Sequence, residues 1–126
     1  MREIKFRGKY LDGKGWAFGH LVKMWGAWHI IDWNDENTAY AVDPATVGQF
    51  TGIKDKYGER VYEGDVFHYV NEDGNDCISE VKYDDEDGCF NLTDSLYVYG
   101  VNYAIKRMNA NLIGNIHDNP ELLKTE

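Results

Sequence analysis

The chain has 126 residues, two cysteines and a formal net charge of −9, with 13 Lys and Arg against 22 Asp and Glu. That length suits one domain, or two small subdomains sharing a core, and buries enough apolar surface to fold without a disulfide or metal staple. The acidic balance repels phosphate backbones and argues against direct nucleic-acid binding, leaving a basic partner or plain solubility as the use of the charge.

The start, Met1-Arg2-Glu3-Ile4-Lys5, alternates charge with apolar residues where a signal peptide needs an apolar run. No stretch approaches the ~18 apolar residues of a membrane-spanning helix, so the expectation is a cytoplasmic protein with no membrane contact. Ile4 and Phe6 alternate with charged neighbours, and residues 16–24 and 28–33 mix aromatic with β-branched side chains. Each of these runs ends in a cluster that favours turns, namely Asp12-Gly13-Lys14-Gly15, Gly26, and residues 34–37, which predicts a β-meander. Both prolines, Pro44 and Pro120, fall outside the apolar runs, as the missing N–H requires.

Residues 43–67, DPATVGQFTGIKDKYGERVYEGDVF, hold two strand-like runs, a tight turn and the corner Glu63-Gly64-Asp65. A division falls here, giving subdomains 1–58 and 59–126 within a single domain 1–126. The second begins with a Gly-Asp corner feeding an apolar strand, the opening of many small SH3-like barrels. Residues 78–83, the turn Asp84-Asp85-Glu86-Asp87-Gly88, and residues 89–92 and 111–116 supply its remaining strands. Residues 95–108 admit two readings. Leu96, Val98, Val101, Ala104, Ile105 and Met108 partly fit one helical face, whereas Tyr97-Val98-Tyr99 and Gly100 favour strand or loop. Asn119-Pro120 has the cap and first-turn proline of a short terminal turn, which would tuck in Leu122 or Leu123. The predicted fold class is all-β: two small packed β subdomains, the C-terminal one an SH3-like barrel, with little helix and no helix longer than about three turns.

Little in the sequence carries catalysis. Asp84-Asp85-Glu86-Asp87 and Asn71-Glu72-Asp73-Gly74-Asn75-Asp76 have the composition of cation loops but not the EF-hand order, and read as hairpin tips. The four histidines, His20, His29, His68 and His117, lack zinc-site spacing, although His20 and His29 are close enough to face each other across a hairpin. Cys77 and Cys89 make no CxxC and are expected as reduced, partly buried thiols. There is no nucleophile elbow, P-loop or dinucleotide fingerprint, so no cofactor and no metal is expected. Two groups remain as candidate sites. Trp16, Trp25, Trp28 and Trp33 crowd into the first 33 residues. Of these Trp25, Trp28 and Trp33 are the candidate interface, for a partner or for a homo-oligomer, against the alternative that they fill a core. Gln49, Thr51, Glu63 and Asp65 are the candidate polar cleft of an enzyme or small-ligand binder.

Several runs together resemble the YopX-like family of bacteriophage and prophage proteins: MREIKFRG at 1–8, residues 42–67, Asp87-Gly88-Cys89-Phe90, and residues 112–123. The resemblance implies a phage or prophage origin, an all-β fold and no assigned activity. The leading functional reading is a non-catalytic module binding a protein of host or phage origin. The alternatives are the cleft enzyme or binder, and an acidic mimic of DNA that occupies a nucleic-acid-binding protein.

Overall fold

Alternating side chains organise the first half of the chain into a meander. In the computed structural model, which describes residues 3–124, contacts divide the chain into two units, Met1–Gly52 and Ile53–Glu126. The first unit contains β1 (Phe6–Lys9), β2 (Trp16–Met24), β3 (Ala27–Asp32), β4 (Ala39–Ala41) and most of β5 (Gly48–Lys54). These strands are antiparallel, in the order β4-β3-β2-β1-β5. Register sets Gly8 opposite Ala17, Leu21 opposite Ile30, and Ile30 opposite Tyr40. Residues directly opposite share a face, so one face gathers Ala17, Ile30 and Val42 as a core, with Phe6, Leu21, Tyr40 and Val47 against it. Ile30 is fully buried and contributes roughly 1.5–3 kcal/mol.

The Asp-Pro pair opens a single 3-10 turn, Pro44–Thr46, in which the Asp43 side chain accepts the Ala45 N–H. Thr46 is buried and ties the turn down: its Oγ1 accepts the Lys9 N–H at 2.8 Å and donates to the Asp43 carbonyl at 2.6 Å. The DPATV run is thus a self-capped turn fastened to β1.

The second unit starts with a turn built on Asp55, whose Oδ1 accepts the N–H groups of Tyr57 and Glu59. It leads into β6 (Arg60–Tyr62), which lies beside the end of β5. Next come β7 (Asp65–Val70), β8 (Asp76–Glu80), β9 (Lys82–Asp84), β10 (Cys89–Thr93), β11 (Val98–Gly100), the helix α1 (Val101–Arg107) and β12 (Asn111–Asn115). They make two antiparallel three-stranded sheets, β12-β7-β8 and β11-β10-β9. The pairing order does not by itself make an SH3-like barrel of them. The core of this unit is Val61, Phe67, Tyr69, Val81, Leu92, Val101 and Ala104, with neighbours.

The Glu63-Gly64-Asp65 corner holds several of these strands. Gly64 has φ 90, donates its N–H to Val81 and accepts the Ile116 N–H on its carbonyl. The buried Asp65 accepts the Tyr62 N–H on Oδ2 at 2.7 Å, and its backbone carbonyl accepts the Val81 N–H.

Both readings of residues 95–108 find a place. The Tyr97-Val98-Tyr99 run enters β11, and the helical spacing holds from residue 101, where Val101, Ala104 and Ile105 turn one face to the core. The helix is only seven residues long; it is capped by Met108 and followed by Asn109 in the left-handed region, φ 54, with Lys106 and Arg107 complementing its last carbonyls. The terminal Pro120–Lys124 turn follows Asn119 as expected, with Leu122 half-buried and Leu123 exposed. Among the described residues no helix is long and apolar enough to cross a membrane.

Candidate functional site

Trp16, Trp25 and Trp28 lie on the β2–β3 hairpin and Trp33 directly follows it, and the geometry treats them differently. Met24 pairs with Ala27, leaving a two-residue turn of Trp25 and Gly26 with φ 51 and φ 78. A turn with positive φ at both central residues matches the twist of the strands, and Asn or Gly normally fill it. Gly26 meets that demand. Trp25 does not, and its indole is 89% exposed, touched edge-on by the His29 ring at 5.9 Å. Trp28, 37% exposed, lies opposite Lys23, whose Nζ stands 5.7 Å from the indole centroid. Trp33 is half-buried between Lys5, with Nζ 4.7 Å from its centroid, and the His20 ring at 4.9 Å. Trp16 is likewise covered by cations, Arg7 at 4.7 Å and Lys9 at 5.7 Å. None of the four indoles belongs to the buried core, which Ala17, Ile30 and Val42 form.

The two histidines of the hairpin share a face without facing each other. His20 lies opposite Ile31 and His29 opposite Val22, so they sit on a diagonal, each against an indole. Among the described residues no group of three or more His, Cys, Asp or Glu is placed to hold a metal ion. Both cysteines are free thiols, Cys77 half-buried and Cys89 exposed.

The four polar residues singled out from the sequence fall two to each unit. Gln49 and Thr51 are half-buried on β5, where Gln49 lies opposite Phe6. Glu63 is half-buried at the corner, and Asp65 is buried with its carboxylate engaged by the Tyr62 N–H.

A second feature escapes motif reading. Up to Gly52 the chain has six basic and six acidic residues, whereas from Ile53 on it has seven against sixteen, so the whole net charge resides in the second unit. In this unit Asp94 closes a turn, its Oδ1 accepting the Leu96 and Tyr97 N–H groups at 2.8 Å each. Its Oδ2 lies 3.4 Å from the Tyr69 hydroxyl and from Asn71 Nδ2, and 3.5 Å from Cys77 Sγ. Partial burial opposes ionisation of Asp94, but the hydrogen bonds from Leu96, Tyr97, Cys77 and Asn71 prevail and hold the carboxyl below the usual range. Tyr69 also meets Ser79 Oγ at 2.9 Å, and burial pushes its phenol up to about 12. Three more tyrosines form a row. Tyr97 and Tyr99 have ring centroids 5.8 Å apart, Tyr99 and Tyr103 are 6.3 Å apart with planes 5° from parallel, and Tyr69 meets Tyr99 edge-on at 5.7 Å. The signals for this cluster were the tyrosine spacing at 97, 99 and 103 and the charge count of each half.

The model of the family described as YopX protein matches residues 5–124 of the chain. Two solved structures share its fold. Protein EF1440 from Enterococcus faecalis is 24% identical with a TM-score of 0.62, over 98% of this chain and 99% of that one. Protein yopX from Bacillus subtilis is 20% identical with a TM-score of 0.60, over 100% of this chain and 99% of that one. Among curated proteins none matches the chain.

Proposed function

The chain belongs to the YopX family, and on that footing we propose that it is a phage- or prophage-encoded protein-interaction module. It works without catalysis in the cytoplasm of a bacterial host and takes a protein partner on the tip of the β2–β3 hairpin.

The observation that carries this reading is Trp25. Left-handed backbone costs an L-residue roughly 1–2 kcal/mol, and the exposed indole recovers little of that in the fold, where its ring contact is the edge of His29. An indole inserted into an apolar pocket of a partner is worth far more, with truncation of such an anchor commonly costing ~2–4 kcal/mol of binding. Trp28, partly exposed three residues on, widens the same contact. Trp33, covered by Lys5 and His20, supports the strand behind it.

The test is Trp25→Gly. The expected result is a melting temperature equal to or above that of the native chain, together with loss of the partner that the native protein retains from host extract. Light scattering at high micromolar concentration separates the two kinds of partner. A second copy appears as an oligomer that Trp25→Gly returns to monomer, and a different protein leaves the native chain monomeric. A variant that melts several degrees lower, or that keeps the same partner, would overturn the proposal.

A further inference from the structure

Taking the hairpin tip as the partner site proposed above, we infer that the partner surface it fits is acidic: an apolar pocket rimmed by carboxylates. The chain as a whole is negative, but its charge is laid unevenly along the sequence. Residues 13–31 contain none of the 22 acidic residues and include Lys14, Lys23, His20 and His29. That stretch spans β2, the turn and all of β3 except Asp32, so the projection that carries Trp25 has no carboxylate of its own short of its base.

The carboxylates of the first unit sit elsewhere and are mostly engaged. Asp12, Asp32 and Asp35 lie at the other end of the hairpin, each accepting the backbone N–H two residues on, from Lys14, Asn34 and Asn37. The six residues of β3 separate Asp32 from the turn by roughly 20 Å at the usual rise, more than two screening lengths at physiological salt. Glu36 belongs to the same distant loop as Asp35. Asp43 lies nearer, since it follows Val42, whose N–H bonds to the Trp28 carbonyl, but its Oδ1 accepts the Ala45 N–H. Glu3, ahead of β1, is half-buried and has a partner of its own.

At the tip itself the groups on offer are cationic or donors. Lys23 pairs with Trp28 next to the Met24–Ala27 pair that closes the turn, and its ammonium stands 5.7 Å from the Trp28 centroid. Among the described residues no carboxylate holds Lys23. The indole steadies the ammonium beside the turn, so less freedom is lost when a carboxylate from outside meets it. His29 Nδ1 stands 3.0 Å from the Ala27 carbonyl, and because a carbonyl only accepts, Nδ1 carries the proton. Nε2 is left to a partner, and protonation there adds positive charge to the tip. The indole N–H groups of Trp25 and Trp28 can only donate. An apolar centre ringed by donors and one fixed ammonium matches an apolar pocket with one or two carboxylates at its rim. A phosphate backbone or an anionic membrane does not match it, because the extended field of such a polyanion meets the repulsion of the whole chain's net charge of −9.

The experiment pans a displayed library of a small β-sandwich scaffold, its randomised loops balanced in acidic and basic residues, on the full chain at physiological salt. Counter-panning on Trp25→Gly discards clones that bind elsewhere. The loops of the tip-dependent clones are expected to be enriched about twofold or more in Asp and Glu over the starting library. Their affinity should fall about two- to fivefold for Lys23→Met, which keeps an aliphatic stem over Trp28, and about tenfold or more for Lys23→Glu. Lys14→Glu makes the same change in net charge at the base of the hairpin and should alter affinity less than about twofold, by screening. Circular dichroism of every variant guards against misfolding, and Lys23→Met keeps the comparison open if Lys23→Glu unfolds. Tip-dependent clones without an acidic excess, or equal weakening by Lys14→Glu and Lys23→Glu, would overturn the inference while leaving Trp25 as the anchor. A selection that yields no clone dependent on Trp25 would overturn the anchor and the inference together.

Discussion

Gly19 and Ile31 approach so closely that a Cβ on Gly19 would stand 1.8 Å from the Ile31 carbonyl oxygen. The same crossing brings the Trp33 N–H to the Phe18 carbonyl at 3.0 Å, which sets the end of β3 on β2 and with it the position of Trp33. Gly19→Ala is expected to destabilise the fold by about 1–3 kcal/mol, because rigid backbone must move to admit the methyl group. Gly26→Ala, where a Cβ meets nothing within 4 Å but φ is 78, should cost only about 1 kcal/mol from backbone strain. Urea denaturation of both variants checks the order, and a milder effect at Gly19 than at Gly26 would refute this account of the hairpin.

The corner at Gly64 should be equally intolerant. Gly64→Val places a β-branched residue at φ 90 and is expected to cost about 1–3 kcal/mol, with a matching fall in melting temperature. Asp65→Ala takes away the buried acceptor of the Tyr62 N–H and should cost a similar amount, about 1–3 kcal/mol. Unchanged melting curves would mean that the Glu-Gly-Asp motif serves something other than the fold.

Tyr69 predicts an alkaline limit to stability. Its phenol is pushed up to about 12, whereas an unfolded tyrosine titrates near 10. The folded chain therefore holds a proton that the unfolded chain releases. Stability from this group is intact below pH ~10 and declines as pH rises through about 12. Tyr69→Phe should flatten that decline, at the expense of the Ser79 hydrogen bond, worth about 0.5–1.5 kcal/mol at neutral pH. Denaturant midpoints measured from pH 8 to pH 12 for both chains would test the claim, and parallel profiles would contradict it.

The two thiols should differ in reactivity. Burial, with a hydrogen bond to Asp94, pushes the Cys77 thiol up, whereas Cys89 is exposed on β10. Iodoacetamide at mildly alkaline pH should alkylate Cys89 several times faster than Cys77 in the folded chain, since Cys77 is held as the thiol and is the less accessible of the two. Peptide mapping by mass spectrometry reads the two rates, and equal rates would mean that the Asp94 cluster opens readily.

Much of the fold was legible because its signals are local. The Asp-Pro turn, the Asp55 turn, the Gly64 corner and the Asn119-Pro120 start of the last turn each depend on residues within a few positions of one another, and the mix of aromatic and β-branched residues marked 16–24 as a strand. The segment 95–108 was ambiguous for a physical reason: it contains a strand and a helix back to back, and each signal is diluted by the other. The fates of the tryptophans were not legible. Trp25 and Trp33 are the same residue type at the turn and just past the end of the same hairpin, and only register decides that one points outward from a strained turn while the other is clasped by Lys5 and His20. Asp94 likewise collects Tyr69, Asn71 and Cys77 from 17 to 25 positions away. Sequence by itself determined the strands, turns and acidic balance, since propensity and periodicity act over a few residues. The tertiary structure decided which aromatic and charged groups meet, because contact across sheets depends on strand order and register, and no short-range pattern encodes these.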